Sequence, residues 1–118
     1  MNDSTARNVI HSTLTDLGRY AKASSPTMTA FQGLHHAVLT ESDGGLDTLH
    51  KELIALAIGV IQGCSGCIHL HAAAALKAGA TQAQLLSTLD VAILMGGGPA
   101  SIRAAETLQV INQLETAS

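Results

Sequence analysis

Charge is what this chain has least of. Acidic and basic residues fill 13% of its 118 positions, about half the share usual in a soluble domain, and the mean hydropathy is positive at +0.29. So few charges cannot comfortably coat a monomer. Part of the apolar surface is therefore expected to be buried between copies, which makes a homo-oligomer the expected state. The net charge is −3, and the six basic residues (Arg7, Arg19, Lys22, Lys51, Lys77 and Arg103) are scattered along the chain. Without a basic cluster, nucleic acid is not an expected partner.

Long apolar runs are missing as well. The longest, Leu53 to Ile61, has nine residues, whereas a membrane-spanning helix needs about 20, so no membrane partner is expected. The opening "MNDSTARNVI" carries an acid at Asp3 and lacks the basic-then-apolar pattern of a secretory signal, which makes a cytoplasmic location the expectation. No Pro/Gly/Ser-rich linker, repeat or low-complexity tract divides the chain. Residues 1–118 are thus read as a single domain.

No segment shows the sustained apolar-polar alternation of a half-buried strand, while every apolar segment has the helical period. The fold class read from this is all-α, a compact bundle of about six helices. A first helix is predicted from about Ser4 to Lys22, with Ile10, Leu14 and Leu17 on one face. Ser25 as cap and Pro26 at the first helical position start a second, which carries Phe31, Leu34 and Val38 inward and stops in "ESDGG". Asp47 caps a third, "DTLHKELIALAIGVIQ", whose second half is apolar all round and so reads as buried on every side. Gly63 ends it. A fourth begins around Cys64 or Ser65 and ends at Gly79, with a thin run from Ala72 to Ala75. Thr81 and Gln84 form a capping box opening a fifth, with Leu85, Leu89 and Ile93 inward, and Pro99 starts a sixth. The triplet Gly96 to Gly98 is not followed by Gly-Lys-Ser/Thr, so it reads as helix punctuation rather than a phosphate loop.

Cysteine is scarce too, and both residues fall in one stretch, "GCSGCIHLH". In a reducing compartment a static staple is a poor explanation for them, and a loop of only two intervening residues would remove little unfolded-state entropy. At about 100° per residue, Cys64, Cys67 and His71 fall near 0°, 300° and 340°, on one stripe of the fourth helix, with His69 near 140° on the far side. The first turn of a helix favours a thiolate there. The third and fourth helices can only form an antiparallel hairpin across so short a turn. Counted from Gly63, Glu52 and His71 lie roughly 16 and 12 Å along its two arms at 1.5 Å per residue. A glutamate directly before "LIALAIGVI" is expected to be partly buried and to need a partner such as His71. Two other readings stay open at this point. The thiols could be inert and buried, or Cys64, Cys67 and His71 could hold zinc with Glu52 or water as a fourth ligand. Covalent haem is out, because Ile68 follows Cys67 where a histidine would have to stand.

The order Glu52, eleven residues, Cys64, two residues, Cys67, three residues, His71 resembles the alkylhydroperoxidase D and carboxymuconolactone decarboxylase superfamily. The resemblance rests on "KELIALAIGVIQGCSGCIHLHAAAALKAGATQAQLL", and more weakly on "SPTMTAFQGL" and "GGGPAS", so it covers most of residues 25 to 106. It implies a thiol-dependent peroxidase that reduces hydroperoxides, with Cys67 attacking peroxide, Cys64 resolving the sulfenic acid into a disulfide, and His71 and Glu52 relaying the proton. It further implies a lipoyl-bearing protein or other dithiol as reductant, a hexamer built as a trimer of dimers, and no cofactor. Peroxidase members similar to this chain often carry a histidine where Gly66 stands. Other branches decarboxylate a muconolactone and generally do without the cysteine pair, so a lyase is the alternative activity. His11, His35, His36, His50 and His69 show no partner pattern and read as solvated or hydrogen-bonded structural residues. Met28 and Met95 read as core filler.

Overall fold

In a computed structural model, which describes residues 5–117, the chain is a bundle of six helices with no strand among the described residues. They are α1 (Thr5–Ala23), α2 (Ser25–Leu39), α3 (Thr48–Gln62), α4 (Ser65–Lys77), α5 (Gln82–Gly96) and α6 (Gly98–Ala117). The expected start at Ser4 lies outside the described residues. The boundaries follow local chemistry. Asp47 accepts the backbone N–H of His50 at 2.8 Å and opens α3. Thr81 and Gln84 close the predicted capping box at 3.1 and 2.9 Å. Gly63 ends α3 with φ +68°, a conformation that costs glycine little.

Two boundaries differ by a residue from the sequence reading. Ser24, not Ser25, sits at the cap of α2, and it makes no side-chain capping bond. Gly98, not Pro99, opens α6, which leaves Pro99 inside the first turn where its missing N–H costs nothing.

The core is formed by α3 to α6. Leu56 and Val60 from α3 meet Ile68, Ala72 and Ala75 from α4, Leu85, Leu89 and Ala92 from α5, and Ala100, Ala104 and Ile111 from α6. Alanines make up much of this set, so helix backbones approach closely, as the thin run in α4 suggested. α1 inserts only Ala6 as a buried residue, and α2 inserts none.

Three sequence expectations are corrected here. Phe31, Leu34 and Val38 do not point into the core but are 54, 60 and 53% exposed, because the backbone of α2 approaches only those of α1 and α3 and stays clear of the α4–α6 core. The second half of α3 is not buried on every side, since Ile54, Ile58 and Ile61 are each about half exposed on the face turned away from α4, α5 and α6. Met95 is not core filler either, being largely exposed near the end of α5. Periodicity marks a face that is to leave water; it does not say which surface covers it.

Candidate active site

The α3–α4 hairpin positions the four residues that the sequence brought together. Its turn is closed by the N–H of Cys64 bonding the Gly59 carbonyl at 3.0 Å, which aims the chain from Gly63 directly into α4. Cys64 is the cap of α4, and its sulfur accepts the backbone N–H of Cys67 at 3.2 Å. A thiolate at Cys64 would thus be held by the free N–H groups of a helix start. Cys64 and Cys67 are joined in a disulfide, with their Cα atoms 5.2 Å apart. Among the described residues no group of three or more His, Cys, Asp or Glu side chains is arranged to hold a metal ion.

One turn along α4, His71 directs Nδ1 at Glu52 Oε1 over 2.7 Å. Glu52 is only 5% exposed, and it reaches His71 because the two residues lie at similar depth on antiparallel arms. The carboxylate accepts, so Nδ1 carries the proton and Nε2 is left as the basic nitrogen. A surface pairing of Glu52 with lysine does not occur. Lys51 turns the other way and donates to the Thr40 carbonyl at 2.9 Å.

Two glycines let other helices close on the disulfide. A Cβ at Gly59 would stand 3.2 Å from Cys67 Cβ, so glycine there lets α3 lie this near α4 without crowding. A Cβ at Gly66 would stand 3.2 Å from the Thr13 methyl, which fits α1 tightly over the Cys64–Cys67 turn.

A cavity of about 610 Å³ opens onto both cysteines and His71. Its walls are mainly apolar, with Leu14 and Leu17 from α1, Met28 and Phe31 from α2, and Leu70 from α4, and they carry the polar side chains of Thr13, Gln32 and His35. Met28 thus lines the cavity rather than filling the core.

The remaining histidines divide. His69 bonds back to the Ser65 carbonyl at 2.8 Å, on the far side of α4 as its helical position predicted. His50 lies 2.6 Å from Asp47, and its backbone N–H, followed by its ring, holds the Asp47 carboxyl below the usual carboxylate range. His11 and His36 are exposed. His35 is exposed as well, as a solvated residue would be, but it has neighbours that the other two lack. It lines the cavity, and its ring stacks on His71 with centroids 6.2 Å apart and planes 23° from parallel. A faint signal existed in the sequence, since His35 is four residues after Phe31 and the two share a helix face. Nothing local, however, says where α2 crosses α4.

The comparisons with known proteins agree with this fold. The model of the carboxymuconolactone decarboxylase family matches residues 26–109. An uncharacterized protein of Cupriavidus necator is 39% identical over 97 residues, covering 82% of this chain and 84% of that protein. Uncharacterized protein 4 in the cox locus of Paracoccus denitrificans is 34% identical over 101 residues, covering 86% and 89%. The crystal structure of an apo carboxymuconolactone decarboxylase family protein from Legionella pneumophila superposes with a TM-score of 0.87 at 37% identity, covering 94% of this chain and 97% of that one. A family protein of Thermotoga maritima, for which involvement in an antioxidative response has been suggested, shares the fold with a TM-score of 0.81 at 21% identity, covering 91% and 90%.

Proposed function

The chain belongs to the carboxymuconolactone decarboxylase family, and on that premise we propose that it is a thiol-dependent peroxidase cycling between a Cys64–Cys67 dithiol and disulfide. The observation that carries the reading is the disulfide opening onto the same cavity as His71, whose orientation is held by the buried Glu52. Inert thiols would need neither the cavity nor the carboxylate behind the imidazole.

The chemistry balances within these groups. His71 Nε2 takes the proton of Cys67, and Glu52 stabilises the imidazolium that forms. The Cys67 thiolate attacks one peroxide oxygen, the S–O bond forms, the O–O bond breaks, and the leaving oxygen takes up one proton and departs as alcohol, which offsets the proton lost from Cys67. The Cys64 thiol then attacks the Cys67 sulfenic acid and releases water. A dithiol returns the disulfide to two thiols, so one hydroperoxide and one dithiol become one alcohol, one water and one oxidised dithiol. The helix start that holds Cys64 makes it a good leaving thiolate in that last step.

Apolar walls suit an organic hydroperoxide. A lipoyl-bearing protein is the reductant to try first, and a cytoplasmic setting would keep it supplied with electrons. An antioxidative response has been suggested for the Thermotoga protein of the same fold, and the same role is proposed here. No helix among the described residues is long and apolar enough to cross a membrane. The working form is proposed to be a homo-oligomer, a hexamer by the resemblance, with the exposed apolar residues of α2 covered by a second copy.

The test is thiol counting after one equivalent of an organic hydroperoxide. The reduced wild type should lose both free thiols to an intramolecular disulfide. Cys64→Ser should accumulate a trappable sulfenic acid on Cys67, while Cys67→Ser should not react productively. Glu52→Gln and His71→Ala should each slow the oxidation by about 100-fold or more, and the double variant should be little worse than the poorer single, because the two act as one relay. Thiols that stay alkylatable after peroxide, or one zinc per chain holding them, would sink the reading.

A further inference from the structure

The relay just described leaves the departing oxygen unattended. As Cys67 attacks, negative charge develops on that oxygen, which lies beyond the sulfur, further out along the cavity. His71 serves the sulfur, and its Nδ1 is committed to Glu52. A donor on a second wall would meet the leaving oxygen while His71 stays with the sulfur.

His35 meets that requirement in three ways. It lines the cavity together with both cysteines and His71. Its ring is steadied from two sides, by the stack on His71 at 6.2 Å and by the tilted contact with Phe31 at 6.4 Å. Neither contact uses a ring nitrogen, and His35 makes no hydrogen bond with the described residues, in contrast to His50, His69 and His71, each of which has a nitrogen engaged by the protein. An aromatic ring fixed by its faces, with both nitrogens free in a pocket whose other polar side chains outside the relay are Thr13 and Gln32, is placed to meet a ligand.

We propose that His35 is a catalytic residue that hydrogen-bonds the leaving oxygen of the peroxide and delivers its proton. The proposal rests on the peroxidase reading of the same site. An imidazole can give a proton from one nitrogen and accept one at the other. His35 thus ends the step unchanged, with the proton that His71 took from Cys67 returned to it through solvent in the open cavity. Sulfur loses two electrons, the O–O bond takes them, and the alcohol leaves neutral.

The experiment separates this step from thiol activation. His35→Phe keeps an aromatic ring in the stack and removes the donor; His35→Gln restores a donor without the ring. The rate of Cys67 oxidation by an organic hydroperoxide should fall about tenfold to a hundredfold in His35→Phe and recover substantially in His35→Gln. Alkylation of reduced Cys67 by iodoacetamide, whose iodide leaving group needs no proton, should be unchanged in both. Across hydroperoxides whose leaving alcohols differ in acidity, the rate in His35→Phe should depend more steeply on that acidity than in the wild type. Equal loss of alkylation and oxidation in His35→Phe would make His35 a support for His71 and overturn the proposal, as would an unchanged oxidation rate. A wild type inert to every hydroperoxide but normally alkylated would overturn the peroxidase reading, and this step with it.

Discussion

The two ends of the chain are built on opposite principles. From α3 to α6, each helix contributes several buried residues to one alanine-rich core, with Leu56, Leu85 and Ile111 fully buried. In α1 and α2, Ala6 is the one buried residue among those described, and Leu14, Leu17, Phe31, Leu34 and Val38 are each at least 40% exposed. The difference teaches where stability and function are divided. The core half supplies the disulfide, Glu52 and His71 on one rigid hairpin. The α1–α2 half supplies the walls of the cavity and His35, and leaves apolar surface that this chain alone does not cover. A segment with so little burial is expected to open at lower free energy than the core.

Truncation in the core should give the largest effect. Leu56→Ala removes a fully buried side chain where α3, α4 and α5 meet, and should cost about 2 to 5 kcal/mol in denaturant unfolding. Leu34→Ala, on the exposed face of α2, should cost less than about 1 kcal/mol in a monomer. Equal costs would mean that α2 is held as firmly as α3, and the comparison would fail.

Association comes next. Light scattering should give a mass well above the 12.1 kDa of one chain. Leu34→Glu should push that mass toward the monomer without unfolding the core, as followed by circular dichroism. A wild type at the mass of one chain would leave the apolar face of α2 with no second copy to cover it.

Two helix glycines should give effects of opposite sign. Gly59→Ala, with Cys67 Cβ at 3.2 Å and the Ile68 nitrogen at 3.6 Å, overpacks the hairpin and should destabilise by about 1 to 3 kcal/mol, while slowing re-formation of the disulfide. Gly33→Ala in α2 meets nothing within 4 Å and should stabilise by about 0.5 to 1 kcal/mol, since alanine is the better helix former. Thermal unfolding of the two variants checks both signs.

The site was largely legible in the linear chain because a tight hairpin makes sequence distance a measure of space. Glu52 and His71 are counted from the same turn at Gly63, and the helical period selects His71 over His69, so four residues on two helices could be brought to one place before any coordinates. The same periodicity misled for α2 and the outer face of α3. Phe31, Leu34, Val38, Ile54 and Ile58 read as core, whereas in the folded chain Phe31 walls the cavity and the other four are about half exposed, because an apolar stripe specifies burial but not the partner that provides it. Met95 misled for a related reason: one apolar residue near a helix end carries no direction.

What the sequence by itself determined, then, is whatever depends on short range: six helices with their caps, the disulfide pair at a helix start, and the Glu52–His71 contact across one turn. Tertiary structure alone decided how α1 and α2 lie over that hairpin. It settled that Thr13 seats against Gly66, that Leu14, Leu17 and Phe31 wall a cavity above the sulfurs, and that His35 comes to rest on His71. These contacts join residues tens of positions apart through helices whose crossing is set by side-chain packing, and packing is a property of the assembled surfaces that no local pattern encodes.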